Sequence, residues 1–170
     1  MKEIALVVGI LAVVFYAFSY QQKERNNIII FNAIARVLFI VQYLLLSAFE
    51  GAVLDVAGLL SSVLAGQKDK PFIAKHKTAI MIVVNLLIVG AGLLVYKDVF
   101  SLLPIIGVLL HTFAFWITDE KIIRRVSFVG SPFWLVYNIV SGAYGSCIGD
   151  ILSMVSIGTA IVRYDIKKKN

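Results

Sequence analysis

A single cysteine, Cys147, leaves no partner for an intramolecular disulfide, and the two histidines form no Cys/His set with metal-site spacing. Charge is scarce as well: Asp, Glu, Lys and Arg make up 15% of the 170 residues, against roughly 25% in soluble domains. No glycine-rich ATP-binding loop, metal motif or nucleophile–base pairing is visible. The expectation is a protein that is not an enzyme and needs no cofactor.

What the chain has is apolar length. Hydrophobic residues are 60% of the sequence, beyond the roughly 45–50% of soluble proteins, which marks an integral membrane protein. The net charge of +6 is not a nucleic-acid footprint, because the cations sit in short segments between apolar runs. Seven runs stand out, at about 4–20, 28–49, 51–66, 78–96, 100–117, 126–144 and 147–163. Each is near the length that crosses a bilayer at ~1.5 Å per residue. Fusing 28–66 would give an even count, but Ser47 to Gly51, with Glu50, reads as a turn. The first run lacks a small-residue cleavage site, so a retained helix is expected and not a signal peptide.

Seven crossings place the two ends on opposite sides, and charge orients them. With the N-terminus outside, the inner segments hold Lys23 and Arg25; Lys68, Lys70, Lys75 and Lys77; Lys121, Arg124 and Arg125; and Arg163 and Lys167 to Lys169. Only Lys2 and Lys97 fall outside, with Arg36 in a span. The positive-inside rule therefore gives N-out, C-in.

Part of the chain repeats. Residues 36–66 align with 131–161 through Val41/Val136, Ala48/Ala143, Asp55/Asp150, Ser61/Ser156 and Ala65/Ala160. The preceding segments align at a second offset through Gly9/Gly107, Leu11/Leu109, Phe15/Phe113 and Lys23/Lys121. The order is three helices (1–67), a basic loop and linker helix (68–98), and three helices with a basic tail (99–170). Because one helix intervenes, the triplets run the same way, as parallel repeats.

This all-α, polytopic 3+1+3 arrangement resembles the SWEET and PQ-loop (MtN3-like) transporter superfamily. Within it the chain is most similar to the YgjV family of bacterial inner membrane proteins, through LLPIIG at 102–107, WLVYN at 134–138 and SGAYGS at 141–146. The resemblance implies an inner-membrane, multi-pass carrier with a pocket between the triplets. In SWEET proteins the third helix of each triplet carries a pocket asparagine. Asp55 and Asp150 fall near that place, which weighs against simple sugar binding and admits proton coupling.

Trp134, Tyr137, Asn138 and Ser141 are spaced 0, 3, 4 and 7, on one helix face, offering a stacking surface beside amide and hydroxyl groups. Phe39, Gln42 and Tyr43 repeat the first three positions 95 residues earlier. The stripe is also similar, more distantly, to that of PnuC vitamin transporters, although only one tryptophan is present. The competing reading is interhelical bonding and packing. Asp55 and Asp150 read either as pocket carboxylates or as helix-capping acids. His111, in the fifth run beside Thr112, would bind substrate, relay a proton or bond a neighbouring helix. Arg36 would snorkel or meet a substrate carboxylate or phosphate; pairing with Asp55 is not expected, since simple depth arithmetic separates them by roughly 10 Å. Pro104 and Pro132 are hinge candidates, Pro71 is loop punctuation, and the glycines at 51, 58, 142, 145, 149 and 158 permit close helix contact.

The expected function is alternating-access transport, passive or ion-coupled, of a small polar solute such as a sugar. Gln42, Tyr43, Asp55, His111, Trp134, Tyr137, Asn138 and Asp150 would line the pocket. One rival is a nucleoside or vitamin carrier of PnuC type; the other is a non-transporting receptor or structural membrane protein on the same fold. Lipids and the solute are the expected partners, nucleic acid is not, and self-association is compatible with so small a bundle.

Overall fold

A computed structural model describes residues 2–47, 49–140 and 144–166. Among them all regular structure is helical: α1 (Lys2–Ser19), α2 (Arg25–Leu45), α3 (Phe49–Gly66), the short α4 (Pro71–Lys75), α5 (Lys77–Leu94), α6 (Leu102–Trp116), α7 (Glu120–Val140) and α8 (Tyr144–Ala160). A 3₁₀ turn (Val99–Ser101) leads into α6, and a π-helical turn (Ile161–Ile166) follows α8. Local chemistry sets several ends. Asp98 accepts from the amides of Phe100 (2.8 Å) and Ser101 (3.3 Å) while Ser101 Oγ accepts from the Asp98 amide, a capping box before α6. Pro71 occupies the first position of α4, where its missing N–H costs nothing. Ser47, at φ 57°, takes a left-handed conformation just past the end of α2.

Six long helices close a ring. The neighbours in order are α1 with α2, α2 with α3, α3 with α6, α6 with α7, α7 with α8, and α8 with α1; α5 lies outside, against α3 and α6. Shifting α1, α2 and α3 onto α6, α7 and α8 maps every neighbouring pair onto another. Four segments are long and apolar enough to cross a membrane: Arg25–Leu45, Lys77–Leu94, Val99–Trp116 and Ser146–Ile166; Glu3–Ser19 and Gly51–Gly66 are shorter apolar helices.

The polarity of the ring is inverted relative to a soluble protein. Leu94, Leu86, Ile4 and Val155 stand exposed on its outside, whereas Asn32, Arg36, Asp55, Ser61, His111, Thr112, Asn138 and Ser153 are buried within. In lipid this is the stable arrangement, since outward apolar groups cost nothing and inward polar groups find partners. An apolar cluster of Tyr20, Ile28, Phe115, Ile123 and Ile157 fills the ring toward one end. That end carries the basic loops, as bonds from Arg25 to the Ile117 carbonyl, Lys68 to Thr118 and Arg124 to the Gln22 carbonyl show. A second cluster of Leu54, Val84, Ile88, Ile105 and Val108 is the seam that holds α5.

Candidate functional site

At the centre of the ring is a cavity lined by Val13 and Tyr16 of α1, Arg36, Phe39 and Tyr43 of α2, Asp55 of α3, His111 of α6, Ser131, Trp134 and Asn138 of α7, and Ser146, Gly149, Asp150 and Ser153 of α8. The space open to the centres of water-sized molecules is about 50 Å³. One water needs roughly 10–15 Å³ of such space, so the space at the centre has room for a few waters. At the end opposite the basic loops lies a vestibule of about 720 Å³ by the same measure, bounded by Tyr43, Ser47, Phe49, Leu94, Lys97, Tyr137 and Asn138 among others. Tyr43 and Asn138 border both spaces, so the two adjoin at these side chains.

Two polar pairs furnish the cavity. Arg36 Nη1 donates to Asp55 Oδ1 at 2.8 Å, with the side chains 6% and 8% exposed, and Arg36 Nε donates to Asn32 Oδ1 at 3.2 Å. This ion pair corrects the depth arithmetic above. Helix α2 ends at Leu45 and α3 begins at Phe49, so from their shared turn Arg36 is ~14 Å deep and Asp55 ~9 Å, a gap that the long arginine side chain spans. Arg36 therefore does not snorkel. Asn138 Nδ2 donates to Asp150 Oδ2 at 2.8 Å. Both acids lie about 9 Å into their helices, too deep to cap them, and the capping reading falls for Asp55 and Asp150 alike.

His111 is 1% exposed, and its Nδ1 meets the Gly107 carbonyl of its own helix at 2.7 Å, not a neighbouring helix. A nitrogen facing a carbonyl carries the proton, so Nε2 of the neutral ring is a lone-pair acceptor; it has no partner among the described residues. Tyr16 lies 6.1 Å from the imidazole between ring centres, Tyr16 meets Phe39 edge-on at 6.3 Å, and Phe39 stacks on Tyr43 at 6.3 Å. Trp134 closes the opposite wall, seated on Gly107, where an added Cβ would lie 2.6 Å from its indole. Gly107→Ala is expected to displace Trp134 and destabilise the fold by about 1–3 kcal/mol. Unfolding in detergent together with tryptophan emission in a Trp116→Phe background measures this, and an unchanged spectrum would refute the seating.

Of the residues singled out from sequence, Tyr43, Asp55, His111, Trp134, Asn138, Asp150 and Arg36 meet at the cavity. Gln42 does not: it fills the space beside Gly9 between α1 and α2. Tyr137 belongs to the vestibule, edge-on to Trp134 at 6.4 Å between ring centres. Pro104 is in the first turn of α6, where its missing N–H breaks no bond, so it is an element boundary and not a hinge within the helix. Pro132 does stand inside α7. Ser141 and Gly142 lie outside the described residues. Sequence reading passed over the face of α8, although Ser146, Gly149, Asp150 and Ser153 are spaced 0, 3, 4 and 7.

Cavity residues also pair at the repeat offsets: Arg36/Ser131, Phe39/Trp134, Tyr43/Asn138 and Asp55/Asp150 are 95 apart, and Val13/His111 are 98 apart. A ring of helices with an apolar outside and a polar, ion-paired centre defines a helical membrane protein. The comparison with known families makes this particular. A family model described as Imp-YgjV, bacterial inner membrane protein, matches residues 3–168, and the chain belongs to that family. No curated protein and no solved structure matches it.

Proposed function

We propose that this inner membrane protein is an alternating-access carrier of a small polar solute, with seven crossings, two parallel three-helix bundles, the N-terminus outside and the basic loops in the cytoplasm. The observation that carries the reading is the central cavity, to which residues at both repeat offsets contribute in pairs. Two equivalent bundles around one site can rock about it, exposing it to each side in turn. The likeness to SWEET and PQ-loop carriers, drawn from the 3+1+3 order, points the same way. On this reading the apolar plug at the basic end and Tyr43 with Asn138 at the other are the two gates, and Pro132, which leaves the Phe128 carbonyl without its helical donor, is the candidate flexing point.

A second reading has its own support. Arg36 with Asp55, and Asn138 with Asp150, satisfy each other, as a structural or receptor protein requires. The two readings part on access. Ser153 lines the cavity and is 2% exposed. In a Cys147→Ser background, Ser153→Cys in oriented vesicles is expected to react with a membrane-impermeant maleimide from either face, slowly. Protection from both faces over hours, with full reaction after denaturation, would discard the carrier and leave the structural role.

A further inference from the structure

We propose that the solute is a small organic ammonium ion bearing at least one N–H, held by Asp150, His111 and the aromatic wall. This rests on the carrier reading of the same cavity. Three charged residues line the site. Arg36 and Asp55 cancel in their 2.8 Å ion pair, whereas Asp150 has the Asn138 amide and, among the described residues, no cation. With His111 neutral, an ionised Asp150 gives the cavity a formal charge of −1 about 9 Å into its helix, where a missing counter-ion is costly. An ammonium ion supplies that charge.

The other lining groups match it independently. His111 Nε2 is a buried acceptor without a donor among the described residues, and an N–H of the ligand would satisfy it. Tyr16, Phe39 and Tyr43 form a continuous aromatic wall opposite Trp134, and aromatic faces around one carboxylate are the general way to hold organic cations. A neutral sugar leaves Asp150 without a counter-ion, and an anionic solute meets it as a like charge. The small space between these side chains, about 50 Å³, favours a ligand of a few heavy atoms.

The probes are n-propylammonium and its neutral isostere 1-propanol, with tetramethylammonium as the cation lacking N–H. Binding is read by calorimetry on the detergent-purified protein at pH 7. Propylammonium is expected to bind at least tenfold tighter than propanol and tighter than tetramethylammonium. Asp150→Asn should abolish the first preference, and Asp69→Asn, exposed in the basic loop after α3, should keep it. Trp134→Leu and Tyr16→Leu, which leave the charge in place, should each weaken propylammonium by severalfold, so the test does not depend on one variant folding. Equal affinity for propylammonium and propanol, no heat with any ammonium probe, or a preference intact in folded Asp150→Asn overturns the proposal. Uptake of labelled propylammonium into proteoliposomes separates it from the carrier reading. Asp150-dependent binding without uptake keeps the cation site and removes the carrier, whereas uptake of a neutral sugar with no ammonium preference keeps the carrier and removes the cation site.

Discussion

Arg36→Met is expected to destabilise the protein by about 3–5 kcal/mol, because it leaves the Asp55 carboxylate buried without its cation. Asp55→Leu alone strands the guanidinium and should cost a similar amount. The double variant Arg36→Met/Asp55→Leu should recover most of either loss, since apolar groups of like size commonly replace a buried ion pair at little or no cost. The bond from Arg36 Nε to Asn32 is lost in both arginine variants, so recovery stops short of the wild type by about 1 kcal/mol. Gly58 gives a control that leaves both charges in place, because a Cβ there would meet the Arg36 guanidinium. Gly58→Ala should strain the pair and cost about 1–3 kcal/mol. Equilibrium unfolding of the four variants in mixed micelles reads the whole cycle. A coupling below about 0.5 kcal/mol between Arg36 and Asp55 would show that the pair is solvated and contributes nothing.

The sequence made the membrane class, the helix order and most of the cavity legible, because each rests on a property that repeats along the chain. Apolar length and the distribution of lysine and arginine are summed over tens of residues and survive local errors. Helix starts did not fare as well: α7 begins at Glu120, six residues before the apolar run, because its first turns carry Lys121, Arg124 and Arg125 at the basic end. That kind of error produced the mistaken Arg36–Asp55 depths. Spacing located Trp134 and Asn138 but also promoted Gln42 and Tyr137, which share a helix face with cavity residues yet point to a neighbour or the vestibule. A helical face is wider than a cavity, and only the packing of α1 and α8 decides which edge of it is used. The α8 stripe was missed because serine and glycine are also what a turn contains, and SGAYGS reads as a connection before the helix is known to start at Tyr144. The unpaired Nε2 of His111 has no trace in the sequence at all.

The largest functional effect is expected at the basic end, where Arg25 ties α3 to α6 and Arg124 ties the turn after α8 to α1. Arg25, at the start of α2, donates from Nε to the Ile117 carbonyl at 2.9 Å and from Nη2 to the carbonyls of Ala65, at 2.6 Å, and Phe115. It thus joins the end of α3 to the end of α6. Arg124, near the start of α7, donates to the Tyr20 carbonyl at 3.3 Å and the Gln22 carbonyl at 2.9 Å, and pairs with Asp165 at 2.7 Å. It joins the π-helical turn after α8 to the end of α1, so the shift that relates the helices relates the two clamps as well. Bonds from a charged donor are worth about 1.5–3 kcal/mol each. Among the described residues Arg25 makes no ion pair that its loss would strand, which makes Arg25→Ala the cleaner variant. On the carrier reading proposed above, the clamps close the basic side, and loss of Arg25 shifts the balance toward a state open at that side by roughly tenfold or more, at ~1.4 kcal/mol per factor of ten. Ser153→Cys in the Cys147→Ser background should then react from the basic face faster by that factor, while its reaction from the opposite face slows or stays constant. Arg124→Ala should act in the same direction with a greater loss of stability, because Asp165 is left buried without its cation. Equal acceleration from both faces would mean that removing the clamp loosens the whole ring, and an unchanged rate with lowered stability would make both arginines static ties between helix ends instead of a gate.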